Sequence, residues 1–421
     1  MARRFATMML RVGALTAMSL ASALPVHAQT PPDQKEADAY TRYELLGPDS
    51  HKFRIVYEIT AVTPGATAYY NPIRPGSVAS NESVTDRATG KPLVFGVVDG
   101  PTARAGGVRG ATDDSHYIQV KLARPVPADG GEGRVLIDKT YEDAKSYYTQ
   151  GDTIVFDRSL GNKRNAVILP KGYELVSVNT PAQVLQEADG RIKVAFWNDS
   201  AAASPLIVKA RPAPGFGGNG PSAMAKKFDE RAHQNRKVVY YLQQPETHSF
   251  SLTHDYTESR PGVSTYVNIV RGGSTVSNPS ARNIDTGAAL TGEMIIGEAV
   301  KRAEPDAADV KPDTAAVVFH FPAVKPGQST RLRIAETYTD SDRYKLVGDE
   351  LVWHRSFGRP ANAVVLPAGW ILTNSSVPTT VKLLDDGRVR LDFLNPRTDE
   401  IDTVITARRR TGGSGAQAGS S

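Results

Sequence analysis

The chain has 421 residues, a formal net charge of +5, 23% charged residues and no cysteine. The absence of cysteine excludes disulfide bonds, a thiolate metal site and a cysteine nucleophile. Each folded unit therefore has to be stabilised by burial of its own core. No basic stripe with interleaved aromatic residues follows the chain, so we expect no nucleic-acid partner.

The first predicted element is a secretory signal over residues 1–28. Arg3, Arg4 and Arg11 precede an uncharged apolar run from Val12 to Leu24, and the small residues after it suit cleavage near Ala28. The run is shorter than the roughly 20 residues of a permanent membrane span. Removal of the signal takes away three arginines, which lowers the net charge to +2. We expect a periplasmic or secreted protein with no integral membrane segment after cleavage.

A block of sixteen residues occurs twice, 197 positions apart. The segments RSLGNKRNAVILPKGY (158–173) and RSFGRPANAVVLPAGW (355–370) are identical at nine positions. The same offset pairs SHKFRIVYEIT (50–60) with THSFSLTHDYT (247–257). An unbroken offset over some 170 residues indicates the tandem duplication of a domain, because solenoid repeats have much shorter units.

The duplication predicts how the chain is divided. The predicted segments are a signal peptide (1–28), repeat 1 (37–210), a linker (211–236), repeat 2 (237–408) and a disordered tail (409–421). The linker begins with a Pro/Gly-rich stretch and continues into a predicted short helix, with Ser222 as a suitable N-cap and Met224 and Phe228 on one face. The Gly/Ser-rich tail has too few apolar residues to pack.

The repeats show the alternation of apolar and polar residues that is typical of half-buried strands. In segment 248–257, one face carries His248, Phe250, Leu252, His254 and Tyr256. Gly-containing turn signals separate such runs, and neither repeat has a sustained helical period. The sequence therefore predicts an all-β fold: two tandem duplicated antiparallel β-sandwich domains of roughly ten strands each, joined by the Pro/Gly-rich linker and the short helix.

The repeated sixteen-residue block predicts a corner between two strands. Asn-Ala-Val-x-Leu forms a strand, Pro-x-Gly turns the chain with a positive φ at Gly172 and Gly369, and the following aromatic residue begins the next strand. Four polar residues bracket the corner and suit the binding of loop carbonyls or, as the less favoured alternative, of a ligand: Arg158, Asn165, Arg355 and Asn362.

Positions where the repeats differ are candidates for a specialised site. Tyr57 corresponds to His254 and Asp157 to His354, while His320 lies on a further predicted strand. These histidines could bind a metal, or a histidine together with Asp255 could act as a base, although the adjacent His254 and Asp255 face opposite sides of a regular strand. Nothing in the sequence brings them together, so we predict no metal or cofactor and assign no catalytic residue. His254 and His354 remain candidates for binding.

Short motifs at the start of each repeat add a resemblance. A His-x-Phe strand is followed by Arg-Pro-Gly-Ser (74–77) or Arg-Gly-Gly-Ser (271–274), and then by ATGKPL or DTGAAL. Over about 45 residues, this resembles the β-rich N-terminal domain of the glycyl aminopeptidase family of zinc peptidases. The zinc-binding His-Glu-x-x-His of that family is absent. The resemblance therefore implies a non-catalytic β-domain that has been duplicated without its enzyme.

These observations favour an exported non-catalytic binding or scaffold protein. Its ligand, a protein, peptide or glycan of unassigned identity, would bind on the surface of a β-sandwich or in a cleft between the repeats. The alternative is a secreted hydrolase whose active site is confined to the second repeat.

Overall fold

The computed structural model describes residues 31–198, 202–214, 228–234 and 236–410. The predicted signal peptide, residues 411–421 of the predicted tail and the predicted linker helix from Ser222 through Met224 lie outside the described residues. Phe228 is exposed and belongs to no helix or strand. Among the described residues, no helix has the length and apolar character needed to cross a membrane.

Residues 31–214, called here the first half, form fourteen described strands and one short helix. In chain order these are β1 (Glu36–Leu45), β2 (Lys52–Ala61), β3 (Ala68–Ile73), β4 (Val78–Asp86), β5 (Phe95–Asp99), α1 (Gly100–Ala105), β6 (His116–Lys121), β7 (Gly133–Glu142), β8 (Tyr147–Gln150), β9 (Thr153–Leu160), β10 (Arg164–Ile168), β11 (Tyr173–Val178), β12 (Gln183–Gln186), β13 (Ile192–Trp197) and β14 (Ser204–Pro212).

The second half, residues 228–410, has the same number of described strands and one short helix. These are β15 (Arg236–Leu242), β16 (Ser249–Glu258), β17 (Thr265–Ile269), β18 (Thr275–Asn283), β19 (Ala289–Ile296), α2 (Glu298–Ala303), β20 (Ala315–His320), β21 (Thr330–Thr339), β22 (Tyr344–Val347), β23 (Glu350–Phe357), β24 (Ala361–Val365), β25 (Trp370–Ser375), β26 (Thr380–Leu383), β27 (Val389–Leu394) and β28 (Ile401–Arg409).

The strand order is the same in the principal sheets of the two halves. The first half has a seven-stranded sheet, β12-β13-β10-β1-β2-β7-β4, a four-stranded sheet, β11-β14-β9-β8, and a three-stranded sheet, β3-β6-β5. The second half has a four-stranded sheet, β25-β28-β23-β22, and a ten-stranded sheet, β26-β27-β24-β15-β16-β21-β18-β19-β20-β17. The long sheet arises because β18 also pairs with β19, which joins three further strands to the first seven.

The predicted all-β fold is confirmed, with two features that the sequence did not indicate. Each half has more than the roughly ten strands expected, because several strands are only four or five residues long. Among the described strands, one pair in each half is parallel, β1 with β10 and β15 with β24, and the other pairs are antiparallel. Alternation predicts which face of a strand is buried, but it does not predict the direction of its neighbour.

The main core of each half lies between its long and its four-stranded sheet. In the first half, Phe53 from β2 and Phe156 from β9 are fully buried and meet edge to face, with ring centroids 5.3 Å apart. In the second half, Phe250 from β16 meets Trp353 from β23 in the same way at 6.3 Å. The alternation predicted for β16 is present from Phe250 to Tyr256, whereas His248 precedes the strand with a φ of 53°.

The predicted corner is present in both halves. Gly172 and Gly369 have φ angles of 79° and 84°, and β11 and β25 begin at the aromatic residues that follow them. Asn165 donates a side-chain hydrogen bond to the carbonyl of Asn162 at 2.8 Å, and Asn362 donates to that of Arg359 at the same distance. The two asparagines thus bind loop carbonyls.

Buried ion pairs join the two halves. Arg134 on β7 donates two hydrogen bonds to Asp285, of 2.6 and 2.8 Å, and both side chains are only 2% exposed. Beside them, Glu132 lies 3.2 Å from Arg331, and its backbone N–H donates to the carbonyl of Ile284 at 2.8 Å. Because buried charges are tolerated only when they are paired, these contacts tie the halves to each other.

Candidate functional site

A cavity of about 350 Å³ lies inside the second half. Its walls come from β15, β16 and β21 of the long sheet, from β17 at the end of that sheet, from β23 of the opposite sheet, and from the segments around Arg271, Arg359 and Glu400. All of the lining residues belong to the second half. The cavity is therefore distinct from the cleft between the repeats that the sequence suggested.

Two polar residues reach the cavity from strands whose other inward side chains are mostly apolar. Glu336 on β21 lies opposite Leu252, and His254 on β16 lies opposite Ile334, one step further along the same antiparallel pair. Residues in such a diagonal relationship share a face and are close neighbours. The register therefore places Glu336 and His254 side by side in the cavity wall.

Three buried polar atoms that line this cavity have no hydrogen-bond partner among the described residues. They are Nε2 of His254, Oε1 of Glu336 and Nη1 of Arg355. His254 is 6% exposed and Glu336 is 2% exposed. Most buried polar groups in folded proteins are paired, and each one left unpaired costs about 1–3 kcal/mol. The concentration of three such atoms on one cavity suits a ligand that completes their bonds.

His254 is held as a neutral imidazole. Its Nδ1 lies 2.9 Å from the hydroxyl of Tyr266. Burial, together with the positive charges of Arg359 and Arg236, lowers the pKa of His254 to about 3. In the tautomer whose Nδ1 accepts the tyrosine proton, Nε2 carries the ring proton and is a hydrogen-bond donor toward the cavity.

Glu336 presents one free carboxylate oxygen. Asn268 donates from Nδ2 to Oε2 of Glu336 at 2.7 Å and lies 3.0 Å from the hydroxyl of Tyr338. Burial raises the pKa of Glu336. The asparagine fixes the orientation of the carboxylate and leaves Oε1 as an acceptor for a group inside the cavity.

Arg355 lacks the carboxylate partner that its equivalent has in the first half. We call residues related by the 197-residue offset counterparts. Arg158, the counterpart of Arg355, donates to Asp143 at 3.1 Å. In the second half the corresponding carboxylate, Asp340, accepts instead from Arg343 at 3.0 Å. Because Asp340 already has this partner, Arg355 is left over the aromatic rings of the core.

The guanidinium of Arg355 lies 5.3 Å from the ring centres of Tyr240 and Phe250, and 5.6 Å from that of Tyr338. Such cation–π contacts hold the group in place without satisfying its N–H donors. Within the described part of the chain, no acidic side chain forms an ion pair with Arg355, Arg271 or Arg359. As far as the chain is described, the cavity walls therefore have three arginines without an acidic partner and two glutamates.

In the first half, the counterparts of the cavity residues are satisfied by side chains of the protein itself. Glu36 accepts hydrogen bonds from Tyr69 at 2.6 Å and from Tyr57 at 3.3 Å, and these tyrosines are the counterparts of Tyr266 and His254. Lys139, the counterpart of Glu336, donates to Asn71 at 2.6 Å. The first half thus supplies a carboxylate and an ammonium group from its own chain.

The structure brings two of the six candidate binding residues, His254 and Arg355, to the cavity. His354 is on the outer face of β23, where it is 2.6 Å from Asp402. Arg158 pairs with Asp143, and the two asparagines hold their corners.

The candidate histidines are not gathered into one site. His320 is half-exposed and 3.2 Å from Glu293, while Asp255 points away from His254 and pairs with Arg333. No group of three or more His, Asp or Glu residues in the described ranges is arranged to hold a metal ion.

Sequence reasoning missed Glu336 and Arg359. Both differ in chemistry from their counterparts, Lys139 and Asn162. A comparison of the two repeats would have identified them if it had included changes of charge as well as histidines. The charge is reversed at Glu336 and gained at Arg359. Nothing in the local sequence of either residue indicates that it faces a cavity.

Comparisons with known proteins add little. No protein-family model matches the chain, and no curated protein matches its sequence. A candidate nutrient-binding protein from Legionella pneumophila is similar at 9% identity and a TM-score of 0.26, over 42% of this chain and 68% of that protein. An aminopeptidase N family protein from Idiomarina loihiensis has 10% identity and a TM-score of 0.25, over 41% and 29% of the two chains.

A candidate protease from Parabacteroides distasonis is similar along 90% of this chain and 94% of its own, at 11% identity and a TM-score of 0.25. All of these likenesses are too slight to support an argument about function.

Proposed function

We propose that the protein is an exported, non-catalytic binding protein that holds a small polar ligand in the cavity of its second half. The observation that carries this proposal is the presence of three unpaired buried polar atoms on one cavity. A volume of about 350 Å³ lies within the range of small-molecule sites. The charged N-terminal segment followed by an apolar run supports export.

A tandem duplication is part of this proposal. It is supported by the sequence identities at one offset and by the matching strand order of the two halves. The proposed repeats span 37–210 and 237–408. Duplication allows one copy to keep its polar groups internally paired while the other copy specialises in binding. The motifs at the start of each repeat support a distant relationship to the non-catalytic domain of glycyl aminopeptidases.

The environment of His254 favours binding over hydrolysis. A catalytic base of the usual kind is oriented by a carboxylate and titrates near neutral pH. His254 is oriented by a tyrosine, its pKa is lowered to about 3, and the adjacent Asp255 faces away. His354 is the other histidine that a hydrolase could use. It lies on the outer face of β23, away from the cavity.

Thermal-shift measurements on purified protein test the proposal, with a panel of amino acids, sugars, nucleotides and dicarboxylates. Ile269→Trp places a bulky ring on a residue that lines the cavity and is 37% exposed. Ile371→Trp is the matched control, since Ile371 is 44% exposed and does not line the cavity. We expect at least one compound to raise the unfolding temperature of the wild type and of Ile371→Trp, but not of Ile269→Trp. Stabilisation of all three proteins, or of none, would refute a binding site here.

A further inference from the structure

Building on the proposed binding function, we infer that the ligand is a small zwitterion of the amino-acid class. Its carboxylate binds beside His254, Tyr266 and Arg359, and its ammonium group binds Oε1 of Glu336. This inference rests on a difference between the two halves. The first half holds both charged groups within its own chain, and the second half presents only the groups that would receive them.

The carboxylate end is indicated by Glu36. In the first half this side chain brings a carboxylate to Tyr57 and Tyr69. The residue at the equivalent position of the second half is His233, whose ring lies 3.3 Å from Glu58 rather than in the cavity. The tyrosine pair has become His254 and Tyr266, with Nε2 of the histidine unpaired. The same place is therefore left without its internal carboxylate.

Arg359 strengthens the preference of this end for an anion. It lines the cavity and has no acidic partner among the described residues, whereas its counterpart is the neutral Asn162. Guanidinium groups bind carboxylates through paired, charge-assisted hydrogen bonds. A second arginine, Arg271, lines the same cavity and is likewise free of acidic partners in the described ranges. An anionic group from a ligand would be neutralised here.

The ammonium end is indicated by Glu336. In the first half, Lys139 places its own ammonium group against Asn71. In the second half the asparagine is retained as Asn268, but the lysine is replaced by Glu336, whose Oε1 is buried and unpaired. A buried carboxylate oxygen requires a donor, and a cationic donor also offsets the cost of burying the negative charge. The ligand supplies the ammonium group that the chain no longer provides.

The register of the strands fixes the order of these contacts. Glu336 is opposite Leu252 and therefore one inward-facing position from His254, a rise of about 7 Å along the strand. Arg355 lies one position beyond, over Phe250 and Tyr338. The unpaired Nη1 of Arg355 would receive an acceptor from the remainder of the ligand. An amino acid with a carbonyl or carboxylate in its side chain satisfies all three contacts.

Isothermal titration calorimetry with the twenty L-amino acids, and with glucose as a neutral polar probe, tests the inference. The best amino acid is then compared with its analogue lacking the amine and its analogue lacking the α-carboxylate. We expect each analogue to bind more weakly by about tenfold or more, because each loses one charge-assisted contact. Equal binding of either analogue would overturn the zwitterion assignment.

Two substitutions connect the affinity to individual contacts. Glu336→Gln should weaken binding of the complete amino acid by about tenfold or more and leave binding of the amine-free analogue unchanged. Arg359→Asn introduces the residue that the first half has at the equivalent position. It should weaken binding of both the complete amino acid and the amine-free analogue. Glu293→Gln and Arg397→Asn are the controls, since both side chains are more than half exposed and do not line the cavity. An equal loss of affinity in the cavity variants and in the control variants would contradict the assigned contacts.

The outcomes separate this inference from the proposed function. Binding of glucose in the cavity, blocked by Ile269→Trp, together with failure of every amino acid, would overturn the ligand class and leave the binding function standing. Failure of the amino acids, of glucose and of the wider thermal-shift panel would overturn both. Amino-acid binding that persists in Ile269→Trp would show that the site is elsewhere and would refute the assignment.

Discussion

Removal of the Asp285 carboxylate should destabilise the protein by several kilocalories per mole. Asp285 accepts two hydrogen bonds from Arg134, which also donates to Ser329, and one from the backbone N–H of Arg331. Asp285→Ala leaves the Arg134 guanidinium, 2% exposed, without the carboxylate of its ion pair, although its hydrogen bonds to Ser329 remain. Loss of one member of a buried ion pair costs about 3–5 kcal/mol. We expect the lower end, about 3 kcal/mol, because Glu132 remains close enough to interact with Arg134.

Urea denaturation followed by far-UV circular dichroism measures this loss as a change in the free energy of unfolding. Asp399→Ala is the control, because the Arg397–Asp399 pair is more than half exposed on both sides and is worth at most about 1 kcal/mol. Replacement of both partners, Arg134→Met with Asp285→Leu, should recover most of the loss, since no unpaired charge then remains buried. A loss for Asp285→Ala no larger than that of Asp399→Ala would refute the reasoning.

Two further predictions concern His254 and Gly369. The folded-state pKa of His254 is about 3, below its unfolded value of 6.5. The neutral imidazole therefore contributes fully to the free energy of unfolding above pH 6.5, and this contribution falls as the pH drops toward 3. Between pH 7 and pH 4.5 the free energy of unfolding of the wild type should therefore decrease by about 2 kcal/mol more than that of His254→Tyr, as measured by urea denaturation; parallel pH profiles would contradict it. Gly369→Ala should lower the free energy of unfolding by about 1–2 kcal/mol, because Gly369 has a φ of 84°. Gly161 has open space around it and lies outside the left-handed region, so Gly161→Ala should be nearly neutral in the same assay. Equal effects would rule out backbone strain as the cause.

Much of the architecture could be predicted because it is written in local patterns. The two-residue alternation of β16 predicted which of its side chains are buried, and the Pro-x-Gly segment predicted the positive φ of Gly369. The parallel pairing of β15 with β24 was not predictable in this way. Pairing depends on contacts between strands more than 100 residues apart, and alternation in either strand is compatible with both directions.

The candidate site could be predicted only in part. His254 and Arg355 were identified, the first because it differs from its counterpart and the second because it belongs to the repeated block. Glu336 was missed because a single charged residue on a predicted strand is ordinarily assigned to the exposed face. Arg359 was missed because it lies in the turn between β23 and β24, where an arginine is ordinarily assigned to solvent. Nothing in the pattern of β21 distinguishes Glu336 from a residue that faces solvent.

The sequence by itself determined the strand pattern, the repeated corner and the offset of 197 residues, because each depends on neighbouring residues or on simple identity. Only the tertiary structure decided that Asp340 pairs with Arg343 rather than with Arg355, and that no carboxylate of the described residues before β15 reaches His254. Which arginine pairs with Asp340, and whether His233 enters the cavity, depends on side-chain positions in three dimensions, which neither the strand pattern nor the repeat offset specifies. The second half therefore has an open polar cavity where the first half has internal pairs.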